Sequence, residues 1–213
     1  MAQPAAPTMY PRCMPTAAQW ADQGHIRRIT TWDEPIMRQP TRPVSDFGPE
    51  LYQLVADMFA TMAAADGVGL AGPQVDVDLA LFVYNCPDAD DRLRSGVVCN
   101  PEVELPQGND RNFDAIAEGC LSWPGAYQTL ARPDKAVCRG VDENGQPVEI
   151  RGTGMLARCL QHETDHLSGT VFGDRLSSRS RRALNEERDR LAHLYPSDWP
   201  IHPRGRRSDG DDE

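Results

Sequence analysis

The sequence predicts an α+β fold, in which bent antiparallel sheets pack around one central helix and a further helix lies at the C-terminal end. Most β-prone runs precede the clearest late helix and do not alternate with helices, as they would in a parallel α/β fold. Residues 136–141 and 146–151 flank Asn144-Gly145, a strong signal for an antiparallel hairpin. The chain has 213 residues, 39% hydrophobic and 25% charged, which suits one such domain with tails.

The elements follow from the spacing of apolar residues along the chain. A first helix is predicted over residues 51–64, where Leu51, Leu54, Val55 and Met58 begin an apolar stripe at helical spacing. Gly-rich chain follows, and strands are predicted at residues 79–84, 97–105 (broken by Pro101), 136–141 and 146–151.

Two later helices complete the pattern. Thr153 is expected to cap a helix over residues 154–167, and Gly169 to end it. The last helix is predicted over residues 180–194.

The two ends of the chain differ from its middle. Residues 1–24 are predicted to be a flexible arm, residues 25–195 one folded domain, and residues 196–213 a polar, disordered tail. The N-terminus lacks the basic start and apolar run of a signal peptide, and no stretch approaches the ~18 apolar residues of a membrane span. We therefore expect a cytoplasmic protein with no membrane partner.

Charge narrows the possible partners. The formal net charge is −10, which disfavours DNA as a ligand because neutralising phosphates needs a basic surface. The last helix nevertheless carries several arginines, which makes the ribosome surface a candidate partner, although ion pairs with neighbouring acidic residues are the better explanation. These are Arg179, Arg181, Arg182, Arg188 and Arg190.

The strongest motif is His162-Glu163-Thr164-Asp165-His166, on the helix predicted over residues 154–167. Positions i and i+4 share one helix face, so both imidazoles can reach one metal ion. Glu163 is offset by about 100° from His162, which can bring its carboxylate to a water molecule beside the ion. Because the helix is half-buried, a solvated face with two surface histidines is the weaker explanation.

A catalytic site needs a third protein ligand, and the residues alone leave two candidates. Glu186 lies twenty residues after His166, a spacing that resembles zinc endopeptidases of the thermolysin type. Cys120 is the other candidate, because a thiolate is a good ligand and Gly119 permits a sharp backbone path. Considered alone, Cys120 fits a core position better than a ligand position.

Three motifs, in this order, resemble those of bacterial, in particular actinobacterial, peptide deformylases. They are the segments from Gly67 to Gln74, from Glu118 to Ser122 and from Gln161 to Leu167. The resemblance extends from about Ile29 to Leu176. It implies a metal-dependent hydrolase that removes the formyl group from the N-terminal formyl-methionine of nascent polypeptides and releases formate.

The resemblance implies a role for each matching residue. Cys120, His162 and His166 match the metal ligands, and Glu163 matches the catalytic acid–base. Gln74 and the backbone N–H of Leu121 match the donors to the formyl oxygen. Gly69 matches a backbone position that pairs with the substrate, and the predicted substrate-binding set is Gly67, Val68, Gly69 and Leu70.

Three further expectations accompany these roles. Opposite charges suggest that Glu118 pairs with Arg132 and braces Cys120. One divalent transition metal is expected, with iron(II) as the family's usual ion and nickel or zinc as substitutes. Trp123 stands where the family commonly has a smaller aliphatic residue, so it could narrow or cap the cleft.

Two other functions stay open at this point. One is a thermolysin-type endopeptidase that uses Glu186 as its third ligand. The other is a protein without catalytic activity that binds formylated nascent chains.

Overall fold

The structure, a computed structural model, describes residues 15–204 of the chain. In this part of the chain the strands follow one another and precede the central helix, as the sequence predicted. In order, they are α1 (Ala17–Ala21), α2 (Pro49–Ala64), β1 (Gly69–Ala71), β2 (Leu81–Pro87), β3 (Leu93–Glu104), β4 (Phe113–Cys120), β5 (Trp123–Pro133), β6 (Lys135–Val141), β7 (Pro147–Thr153), α3 (Gly154–Leu167) and α4 (Ser178–Leu191).

The strands form two antiparallel sheets. The larger has the order β1-β2-β3-β6-β7, and the smaller is the β4–β5 hairpin. The register of β3 against β6 shifts between Cys99 and Glu102, around Pro101, which cannot donate to the ladder.

Helix α3 is the central helix of the fold. It contacts β1, β2, β6 and β7, and its Leu156 and Leu160 are fully buried against the larger sheet. Helix α4 packs on β5 of the smaller sheet. The predicted α+β architecture is therefore confirmed, with the metal-binding motif on the helix that both sheets enclose.

Of the two residues predicted to bound α3, Gly169 ends the helix, but Thr153 does not cap its start. Gly169 has a φ of +75° just after the helix, and its N–H donates to the carbonyl of His166, so it ends the helix as predicted. The Thr153 side chain does not cap α3, because its hydroxyl accepts from the N–H of Ala89 at 3.2 Å.

Parts of the predicted arm and tail pack against the domain. Trp20 of α1 is buried and stacks on Phe59 of α2, with ring centroids 6.4 Å apart. Near the other end, Trp199 is buried in the same core, and its carbonyl accepts from the N–H of Ile29 at 2.9 Å. The boundaries predicted at residues 24 and 195 were therefore wrong for these segments, since each contributes an aromatic side chain to the core. Residues 1–14 and 205–213 lie outside the described residues.

No helix between residues 15 and 204 is both long enough and apolar enough to cross a membrane.

Candidate active site

The tight turn between β4 and β5 presents Cys120. The strands stay in register up to Gly119, and a shift at Gly119–Cys120 then turns the chain back through Leu121 and Ser122. A Cβ on Gly119 would lie 2.4 Å from the Tyr127 ring of β5, so a side chain there would displace this ring. Cys120 is buried, with its sulfur directed at α3.

Cys120 meets both histidines of α3. Its Sγ lies 3.4 Å from His166 Nε2, and the two Nε2 atoms of His162 and His166 are 3.1 Å apart. One ligand atom from each of these three buried residues lies within 4.8 Å of the others. The predicted ligands are thus brought together.

The geometry and protonation of this cluster fit a metal ion. A tetrahedral ion with metal–nitrogen distances of ~2.1 Å holds its nitrogen ligands roughly 3.4 Å apart. Burial, followed by the charges of His162 and Arg132, keeps the pKa of His166 well below its ordinary value, so that ring is neutral, as a ligand has to be. Burial lowers the pKa of His162, but the neighbouring Cys120 and Glu118 outweigh burial and raise the pKa above its ordinary value.

Glu118 orients His162 from behind. Its Oε1 accepts from His162 Nδ1 at 2.7 Å, which leaves Nε2 directed at Cys120 and His166. Arg132 grips the same carboxylate in a bidentate pair at 2.7 and 2.8 Å, as the sequence predicted. Burial opposes ionisation, but the hydrogen bonds from His162 and Arg132 outweigh it and hold the pKa of Glu118 well below its ordinary value.

Two further arginines complete this network, and the sequence reasoning missed both. Arg158 of α3 donates to Glu118 Oε2 at 2.7 Å and to the carbonyl of Leu130 at 2.9 Å, which ties α3 to the hairpin. Arg175 pairs with Asp165, which also accepts from Arg132 at 2.9 Å. The position of Arg158 on a half-buried helix could have indicated that it needs a buried acidic partner. The sequence did not identify that partner, because Glu118 is 40 residues away.

Glu163 has the opposite environment from Glu118. It is buried, and its Oε2 has no hydrogen-bond partner within the described chain. Burial raises the pKa of this carboxyl to about 7, where it can both take and give a proton near neutrality. A Cβ on Gly69 of β1 would lie 2.4 Å from Glu163 Oε1, so the bare backbone of β1 passes directly beside the carboxylate.

Gln74 is held against the ligand cysteine. Its Oε1 accepts from the N–H of Ala71 at 2.9 Å, and this fixes the amide. Its Nε2 lies 3.7 Å from Cys120 Sγ and 3.2 Å from Ser122 Oγ. The amide N–H groups therefore point at the same space as the three ligand atoms.

A cavity of about 550 Å³ opens onto these groups. Gly67, Val68, Gly69 and Leu121 line it as predicted, and Met155 and Cys159 add an apolar wall. The side chain of Leu70 is fully buried in the core, and Leu70 is not among the residues from the described range that line the cavity.

Trp123 does not narrow the cleft. It is fully buried, stacked on Trp32 with centroids 4.3 Å apart, and packs edge-on against Phe172. Within residues 15–204 it forms part of the core beneath the hairpin and not part of the cavity wall. The extra ring is accommodated on the side away from the substrate space.

Comparison with known proteins identifies the family. A family model described as "Polypeptide deformylase" matches residues 26–182. A curated relative, peptide deformylase 1 of Streptomyces avermitilis, is 52% identical over 185 residues, which cover 86% of this chain and 85% of the relative. The chain belongs to the polypeptide deformylase family.

Solved deformylases have the same fold. The Legionella pneumophila deformylase matches with a TM-score of 0.71 and 40% identity, over 80% of this chain and 97% of that one. A Synechococcus elongatus deformylase, solved in complex with actinonin, matches with a TM-score of 0.69 and 38% identity, over 78% and 88% of the two chains. As a deformylase, the protein is a metal-dependent hydrolase that removes N-formyl groups.

Membership of the family decides between the open alternatives. A thermolysin-type site would need Glu186 as a ligand, but Glu186 is exposed on α4, and the cluster found in the described chain contains Cys120 instead. The relatives are deformylases by name, so a binder without catalytic activity is also disfavoured. The deformylase prediction is therefore confirmed.

Proposed function

We propose that Cys120, His162 and His166 hold one divalent transition metal ion and that the enzyme deformylates formyl-methionyl peptides as they emerge from synthesis. The convergence of one sulfur and two imidazole nitrogens within 4.8 Å, beside an open cavity, carries this proposal. Iron(II) is the proposed native ion, with nickel or zinc as substitutes, because this donor set suits a borderline transition metal.

The ion would contribute Lewis acidity. When bound, it polarises the formyl oxygen and makes water easier to deprotonate. The remaining steps are assigned to the side chains and backbone of the chain itself.

Glu163 is the proposed acid–base. It takes a proton from the attacking water at its carboxylate, the water oxygen bonds to the formyl carbon, and the carbon–nitrogen bond then breaks as Glu163 returns the proton to the departing amine. The products are formate and a peptide with a free N-terminal amine. The pKa of about 7 supports both proton transfers. Because Gly69 of β1 lies directly beside the Glu163 carboxylate, a substrate backbone paired with β1 would lie next to this carboxylate.

Gln74 and Leu121 are the proposed stabilisers of the negative charge that develops on the formyl oxygen. The Gln74 amide is fixed by Ala71, and the Leu121 N–H follows directly after the ligand cysteine. Preset donors of this kind each contribute about 3 kcal/mol to transition-state binding. The methionine side chain would occupy the apolar space beside Val68, Met155 and Cys159.

The cellular setting belongs to the same proposal. Substrates of this chemistry are made by bacterial ribosomes, so we place the enzyme in the cytoplasm and near the ribosome surface. On α4, Arg181 pairs with Asp174 at 3.2 Å and Arg190 with Glu187 at 3.0 Å. A contact with ribosomal RNA would therefore fall mainly to the exposed Arg179 and Arg182.

The test is formate release from formyl-Met-Ala-Ser by protein purified without oxygen and loaded with iron(II). Glu163→Gln should lower kcat by about 10²- to 10⁴-fold while bound metal is retained, because only the proton carrier is lost. Cys120→Ala should instead lose the metal.

Glu143→Gln is the matched control, since Glu143 is also a buried carboxyl with one oxygen that lacks a partner among residues 15–204, but it does not line the cavity. It should keep full activity. Normal turnover by a metal-loaded Glu163→Gln sample, or no formate from the wild type, would refute the proposal.

A further inference from the structure

The cavity continues past the groups assigned to formyl-methionine. It is lined by Cys120, His162 and Glu163 of the site described above. Another part of its wall is formed by the C-terminal segment, residues 195–204, together with the loop after α2 and β5. The lining residues from these segments include Asp66, Tyr127, Tyr195, Trp199, Pro203 and Arg204.

This segment is fixed in place. Trp199 is inserted in the core, and Tyr195 packs edge-on against it with ring centroids 5.2 Å apart. The Tyr195 ring also lies over Gly125 of β5, where a Cβ would come within 2.9 Å of the ring and of its hydroxyl. Gly125 has a φ of +80°, so both its conformation and the close ring favour glycine. The wall is thus built against the hairpin that carries Cys120.

Arg204 and Tyr195 present hydrogen-bond donors at this wall. The Arg204 side chain is exposed, and it lies close to the Tyr195 side chain. Tyr195, with the nearby Asp66 and Tyr127, raises the pKa of Arg204. A guanidinium has no acceptor, so what it binds must offer oxygen atoms. Because Asp66 offsets the charge, a neutral carbonyl suits the site as well as a carboxylate.

We propose that residues 195–204 form an outer subsite, in which Arg204 and Tyr195 hydrogen-bond an oxygen of the peptide beyond its formyl-methionine. The proposal rests on the proposed function, because it extends the same substrate along the same cavity. The oxygen is supplied either by a backbone carbonyl or by a carboxylate. Residues 195–204 would then favour peptides over shorter formyl-methionine derivatives.

The experiment compares three substrates of the iron-loaded enzyme: formyl-Met-Ala-Ser, its C-terminal amide, and formylmethionine amide, which ends at the methionine. Arg204→Ala should raise KM about fivefold for the tripeptide and leave kcat unchanged, since the lost hydrogen bond is remote from the reacting atoms. KM for formylmethionine amide should stay within twofold of the wild type. Tyr195→Phe should act in the same direction, and Arg204→Lys should restore part of the loss.

The tripeptide amide separates the two oxygen sources. An equal loss with the amide assigns the contact to a backbone carbonyl, whereas a loss confined to the free acid assigns it to the terminal carboxylate; both support the subsite. Arg92→Ala is the control, because Arg92 is an exposed arginine in the turn before β3 and does not line the cavity.

Two results would overturn the inference. An unchanged KM for both tripeptides in Arg204→Ala, or an equal rise for formylmethionine amide, would show that the segment does not contact the peptide beyond methionine. A wild-type enzyme that releases formate from none of the three substrates would instead defeat the proposed function, and the subsite with it.

Discussion

Two buried glutamates show how the surroundings of a single residue decide its chemistry. Glu118 accepts hydrogen bonds from His162, Arg132 and Arg158, so its pKa is lowered and it stays an anion. Glu163 has an oxygen without a partner within the described chain, and burial raises its pKa to about 7. The first suits orientation of a ligand and the second suits proton transfer.

A substitution of Glu118 tests its orienting role. Glu118→Gln keeps the size and one acceptor oxygen but removes the charge that holds His162 Nδ1–H and two arginines. We expect the affinity for the metal to fall by about 10- to 100-fold, measured by competition with a chelator. Glu104→Gln is the control, since Glu104 pairs with Arg139 on the exposed face of the larger sheet. Unchanged metal affinity in a folded Glu118→Gln protein would contradict the role.

At the scale of secondary structure, β1 is a short edge strand that borders the site. It pairs with β2 on one side, and its other side faces the cavity. At Gly69 the strand comes close to two side chains of α3, Cys159 and Glu163. The absence of a side chain at this position therefore matters more for the site than for the sheet.

Gly69→Ala should consequently impair catalysis more than folding. The added Cβ would lie 2.4 Å from Glu163 Oε1 and 2.8 Å from Cys159 Sγ, so the carboxylate must move. We expect kcat/KM for formyl-Met-Ala-Ser to fall at least about tenfold, with about 1–3 kcal/mol lost from the free energy of unfolding. Gly48→Ala, at the half-buried N-cap of α2 and away from the cavity, should keep normal activity. Equal activity of both variants would argue against close packing at Gly69.

How far the sequence could predict these elements depends on the range of the interactions. Helix α3 and its histidine pair were predictable, because helical spacing is a local property. The β4–β5 hairpin was not, since its strands contain Ala, Gly and Glu, and its turn at Leu121-Ser122 lacks the Asn-Gly signal found between β6 and β7.

The same limit applies to the site. The three ligands and Glu163 were found from motifs, but Arg158 was missed because its partner is distant in sequence. The polar composition of the tail suggested disorder and concealed Trp199, although an isolated tryptophan in a polar segment is a signal for a packing contact. The side-chain direction of Leu70 could not be read from a Gly-rich run that lacks a clear period.

At the scale of the whole molecule, the segment before α2 is fastened to it by one carboxylate. Asp57 accepts from the N–H of His25 at 2.9 Å, from Arg27 Nε at 2.9 Å and from Gln53 Nε2 at 2.8 Å. Burial opposes ionisation of Asp57, but these hydrogen bonds outweigh it and lower its pKa below the ordinary value of 3.8. The fold is therefore stabilised by the charged form of Asp57.

Asp57→Asn should lower the free energy of unfolding by about 2 kcal/mol at pH 7. Because the pKa is lower in the folded state, the contribution of Asp57 is fully present above pH 3.8 and is lost as the pH falls through the folded value. Urea unfolding at several pH values should thus show wild type and variant converging under acid conditions. Asp46→Asn, at an exposed position, is the control, and a difference that stays constant down to pH 2 would contradict the assignment.

The position of the ligands along the chain has a consequence for biosynthesis. Cys120 and His166 are separated by 46 residues, and one belongs to the β4–β5 hairpin while the other belongs to α3. A ribosome therefore exposes the cysteine well before the histidines leave its exit tunnel. Until α3 has folded onto the hairpin, the thiol is an ordinary one, open to oxidation and unable to capture an ion with its full set of partners. The enzyme acquires its own cofactor site only late in its own synthesis.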